Sequence, residues 1–113
     1  MHRIYLRKPW SREQLEGTAI WRRRFGRPTG VGPHEQVWIV VEGRPGDALV
    51  ALNGQPLGRT GGACAARWDV TGRLQSRNEL AIHVESAEAG VAPAHEPPAE
   101  ICLEITSPEG RPG

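Results

Sequence analysis

Apolar residues alternate with other residues along most of this chain, at the period of two that a half-buried β-strand requires. The stretch 48–84 shows it best. Ala48, Val50 and Leu52 alternate, and Asn53-Gly54 follows. That dipeptide favours a type I′ hairpin, whose two central residues both need positive φ. A short strand then leads through Leu57-Gly58 to the glycine pair Gly61 and Gly62. Residues 67–71 form another strand, and Asp69 or Thr71 is placed to cap a brief helical turn through Leu74. Asn78 closes that turn, and Leu80, Ile82 and Val84 alternate again.

The remaining stretches extend the pattern. Residues 2–8 read as a first strand ended by Pro9. Ser11 and Gln14 resemble a capping box, which predicts a helical turn over 11–16 stopped by Gly17. In the strand predicted at 18–25, alternation puts Ile20, Arg22 and Arg24 on one face and Trp21, Arg23 and Phe25 on the other. A Gly/Pro loop at 26–35 precedes the apolar run 37–42, which suits a central strand covered on both sides. Residues 85–100 read as an exposed loop, and the last strand carries Ile101, Leu103 and Ile105 on its inner side. About eight short strands joined by Gly, Pro and Asn turns indicate an all-β antiparallel sandwich or barrel. One domain at 1–107 with a polar tail at 108–113 is expected from 113 residues.

Composition narrows the partners. A net charge of +1 argues against nucleic acid or an anionic membrane surface. The arginine run at 22–24 does not change this, because a strand points successive side chains to opposite faces. The expected role is structural, with one arginine set against a carboxylate such as Asp69 or Glu42. The N-terminus carries charge without a following apolar run, so no signal peptide is expected. Two cysteines, Cys64 and Cys102, lack metal-ligand spacing. They read as free thiols in a cytoplasmic protein, with a disulfide between them conceivable only if the Cys64 loop lies beside the last strand.

The ordered set LNGQPLG, Gly-Gly, WDVTGRL and NELAIHV, with Trp21 to Phe25 and Pro9-Trp10 before it, resembles the sugar-binding-type jelly-roll domain of family 2 glycoside hydrolases. The likeness covers about residues 9–105. It implies a galactose-binding-like, jelly-roll β-sandwich standing alone. The chain departs from the family where Gly62-Ala63-Cys64-Ala65-Ala66 replaces an aromatic loop.

Catalysis is not expected. The family's two catalytic carboxylates belong to a separate barrel domain, and no Gly-x-Ser-x-Gly elbow or spaced metal-ligand set is present. His34-Glu35 and His95-Glu96 read as solvated loop pairs, His83 as an outward strand residue, and no cofactor or metal is implied. The resemblance instead implies a non-catalytic carbohydrate-binding module. Its ligand would be held by loop residues His34, Glu35, Arg59 and Trp10, with Trp10 or Trp38 as an exposed aromatic platform. The alternative is a protein-interaction or assembly module, including a homo-oligomer, using Trp38, Tyr5 and the outward face of the last strand.

Overall fold

The computed structural model describes residues 2–7, 9–43, 47–61, 65–85 and 99–107. These form nine strands: β1 (His2–Tyr5), β2 (Ser11–Leu15), β3 (Thr18–Gly26), β4 (Gln36–Gly43), β5 (Leu49–Leu52), β6 (Gln55–Arg59), β7 (Ala65–Asp69), β8 (Arg77–Glu85) and β9 (Ala99–Thr106). One sheet has the order β1-β9-β4-β7 and the other β2-β3-β8-β5-β6. All pairs are antiparallel, which makes an all-β jelly-roll sandwich. His95, Glu96, Cys64 and the tail at 108–113 lie outside the described residues, and with them the question of a Cys64–Cys102 bridge.

The period-two reading puts the core where it is. Trp21, Ile39, Val41, Val50, Leu80, Ile82, Val84 and Leu103 are buried between the sheets. Asn53 (φ 52°) and Gly54 (φ 82°) both take positive φ, as the hairpin requires. Gly58 answers a different need. A Cβ there would lie 2.7 Å from the Trp68 indole nitrogen, so the missing side chain lets β7 lay its tryptophan against β6.

The predicted helical turn at 11–16 is wrong. Residues Ser11–Leu15 form β2, paired with β3 from Ser11↔Arg22 to Leu15↔Thr18 across a turn at Gly17 (φ 71°). A lone helical turn costs more to nucleate than its single hydrogen bond returns, whereas the hairpin pairs a whole strand edge. The turn after β7 is a turn and no helix. Asp69 accepts hydrogen bonds from the Thr71 amide (3.0 Å) and hydroxyl (2.6 Å), and Arg73 N–H reaches Val70 O. Those Thr71 donors hold the Asp69 carboxyl below its ordinary pKa.

The outer face of the four-stranded sheet is more covered than alternation alone predicts. Val40 and Cys102, paired across β4 and β9, are buried there, and so is Glu104. The Glu104 carboxylate is met by Arg3 (3.0 Å) on one side and Arg67 on the other, and Arg67 also lies 4.5 Å from the centre of the Trp38 ring. Burial pushes the Cys102 thiol pKa up, which favours the inert protonated form.

Candidate ligand groove

The strand register places the described turns at two ends of the sandwich. β3 hands over to β4 through residues 27–35 at the end where Asn53-Gly54 and the 70–76 turn also lie. The opposite end holds the β2–β3 turn, Asp47 and the exit of β6 at Arg59. The five predicted site residues therefore do not converge. His34 and Glu35 sit at the first end. His34 is exposed, and Glu35 Oε1 accepts the Gly32 amide at 2.7 Å, which closes its own loop. Arg59 sits at the other end and pairs with Asp47 at 3.4 Å.

Neither proposed tryptophan platform presents a bare ring. Trp10 is 7 % exposed and donates its indole N–H to Leu6 O at 2.9 Å, so it plugs the crossing from β1 to β2. The expectation of an exposed Trp10 is corrected on that ground: its ring is more useful sealing the core edge than facing water. Trp38 does lie on the outer face, half-buried, but Arg67 stacks on it and its N–H is spent on Thr106 Oγ1 (3.1 Å). The outward face of β9 is likewise occupied, by the arginines around Glu104. The arginine run of β3 finds its carboxylates in Glu13 and Glu79, not in Asp69 or Glu42.

The first end instead contains a groove of about 660 Å³, lined by Arg24, Phe25, Asn53, Arg77, Glu79 and their neighbours. Its floor is fixed. Asn53 Oδ1 accepts Glu79 N–H (2.8 Å), and Asn53 Nδ2 donates to Asn78 Oδ1 (3.1 Å). Asn78 Oδ1 also accepts Gln75 N–H (2.8 Å), and its Nδ2 donates to Gln75 O (2.9 Å). These bonds tie the β5–β6 hairpin to the start of β8, so the wall positions are held before any ligand arrives. Phe25 packs partly on the core and lines the groove. Glu79 lies 3.6 Å from Arg24 and 3.9 Å from Arg22, with its side chain 41 % exposed.

The sequence marked Asn53 and Asn78 as turn residues and Arg24 and Phe25 as strand residues, but none of them as part of a site. Alternation does put Arg22 and Arg24 on one face of β3. Only the register Arg24↔Glu79 and Phe25↔Asn78, set by strands 54 or so residues apart, brings them to the groove.

No protein-family model matches the chain, and no curated protein matches it. Solved structures do. A β-glycosidase from Bacteroides vulgatus superposes with a TM-score of 0.62 at 24 % identity, over 82 % of this chain and 13 % of that one. A β-glucuronidase from Bacteroides uniformis gives 0.63 at 23 % identity, over 82 % and 12 %. A glycosyl hydrolase family 2 member from Bacteroides cellulosilyticus gives 0.57 at 17 %, over 81 % and 12 %. The chain has the fold of a domain of these enzymes. It spans a small fraction of their length, and at these identities the likeness concerns the fold. Among the described residues no helix is long and apolar enough to cross a membrane.

Proposed function

We propose that this chain is a non-catalytic carbohydrate-binding module, seated at the Phe25 groove rather than at the five residues first singled out. The groove carries this reading. It sets an aromatic side chain, a carboxylate and guanidinium groups on a rigid amide floor. Sugars use such sites by laying C–H faces on a ring and giving hydroxyls to charged planar groups. Its volume falls in the range of roughly 300–1,000 Å³ usual for small-ligand sites. The fold likeness to a domain of β-glycosidases adds support. Glycoside cleavage needs two carboxylates about the scissile bond, and the groove lining supplies one, Glu79, so binding without turnover is the reading. A cytoplasmic location suits a chain with a buried thiol at Cys102.

Calorimetric titration with neutral and acidic oligosaccharides tests it. Binding in the millimolar to micromolar range, lost in Phe25→Leu, is expected. Leucine keeps the core packing and removes the ring. No heat with any saccharide would overturn the proposal.

A second reading, an assembly module, draws on Tyr5 and Leu15, the large apolar side chains that stay exposed among the described residues. It predicts a sedimentation mass that rises with concentration and reverts to the monomer in Leu15→Lys. A monomeric mass at all concentrations would remove it.

A further inference from the structure

We propose that the groove selects acidic saccharides, those bearing carboxylate or sulfate groups, and that Arg77 is the residue that reads the charge. This rests on the carbohydrate reading above. The argument is one of charge. Arg22, Arg24 and Arg77 bring three guanidinium groups to this corner of the five-stranded sheet, and two carboxylates answer them. Glu13 pairs with Arg22, and Glu79 is shared between Arg22 and Arg24. Arg77 lines the groove and makes no ion pair with any described residue. Arg24, with its side chain 89 % exposed, has one side free for a ligand even while its Nε faces Glu79.

Arg12, Arg23, Arg27 and Arg73 also lack an ion pair with a described residue, but none of them lines the groove; the remaining described arginines are spent on carboxylates. At the far end Arg59 pairs with Asp47 and Arg7 with Glu100, and on the opposite sheet Arg3 and Arg67 enclose Glu104. The groove is a place where positive charge is left over in a lining that also includes Phe25. A guanidinium's planar fork matches a carboxylate or sulfate bidentately. Phe25 in the same lining asks for a ligand with an apolar face, which a sugar ring has and a bare phosphate lacks. The tie from Arg27 N–H to Ser76 O (3.1 Å) fixes the β8 entry next to Arg77, so the fork is presented from an anchored backbone.

The test is a titration of the full chain with a galacturonic acid tetramer, a sulfated galactose tetramer and the uncharged galactose tetramer, at low salt and again at 0.5 M. The acidic tetramers should bind about ten-fold more tightly than the neutral one at low salt, with the gap narrowing at high salt as charges are screened. Whichever acidic tetramer binds more tightly identifies the source of the charge. Arg77→Gln should abolish the gap, and Arg77→Lys should keep part of it. Equal affinity for acidic and neutral tetramers would overturn this inference while leaving the carbohydrate reading standing. No binding of any tetramer would overturn both. Polyglutamate or a thymidine tetranucleotide bound as tightly as the uronide, in Phe25→Leu as well as in the native chain, would show charge alone at work and overturn it too.

Discussion

Two glutamates, on opposite sheets, show how one kind of ion pair serves two ends. Glu104 lies on the outer face of the four-stranded sheet with its side chain 5 % exposed, enclosed by Arg3 and Arg67. Both arginines have Glu104 as a close partner, and Arg67 is further committed to the Trp38 ring. Glu79 on β8 also faces two arginines, at 3.6 and 3.9 Å, but it stays 41 % exposed and its wall includes Arg77, which none of the described carboxylates pairs. A buried carboxylate enclosed by committed arginines locks strands together. A wet cluster with charge to spare can exchange water for a ligand at little cost. The difference teaches that residue type alone does not mark a site, and that unspent capacity does.

The largest expected effect separates the two clusters directly. Glu104→Gln should lower unfolding free energy by about 1.5–3 kcal/mol, the usual worth of hydrogen bonds to a charged group. Urea denaturation measures it, and a loss no larger than that of an exposed pair would break the comparison. Asn53→Ala comes next, at about 1–2 kcal/mol, because it removes the amide bonds under the groove and puts alanine at positive φ. Asn53→Gly should recover part of that loss by relieving the backbone, with saccharide affinity still reduced. Glu79→Gln should cost less than about 1 kcal/mol, as exposed pairs do, yet change saccharide affinity. A stability loss matching that of Glu104→Gln would show Glu79 to be structural.

The smallest effect is in the pH profile. His83 lies on the outer face of the five-stranded sheet, paired to Ile20 and Leu49, and burial and then Arg22 lower its pKa below 6.5. The unfolded chain then takes up a proton before the native state does. Stability from His83 is present above about pH 6.5 and fades as pH falls through the lower native value. Asp69 acts with the same sign further down, below its ordinary 3.8. A thermal-melt series from pH 7 to 5 should fall less steeply in His83→Gln. An unchanged slope would remove this half-buried histidine from the account.

Much of the framework could be read from single residues and their neighbours. Asn53-Gly54 implied its hairpin because few residues tolerate positive φ in succession. Leu52, Ile82 and Leu103 are buried, as their alternation required. The misread segment, Ser11–Leu15, shows the boundary of such reasoning. Its local preference for a helical turn was outweighed by hydrogen bonds to β3, which no local pattern contains. Trp10 was misplaced for a related reason: its sequence context is a loop, but the loop crosses the open edge of the core.

By itself, then, the sequence determined that this chain folds into two apolar-lined β layers with marked corners, since side-chain period and backbone torsion act between near neighbours. Tertiary structure decided the rest. It chose which arginine meets which carboxylate, buried Glu104, left Glu79 wet and put Arg77 and Phe25 in one groove lining. Those outcomes depend on register between strands far apart in the chain, where a one-residue shift would turn every side chain to the other face.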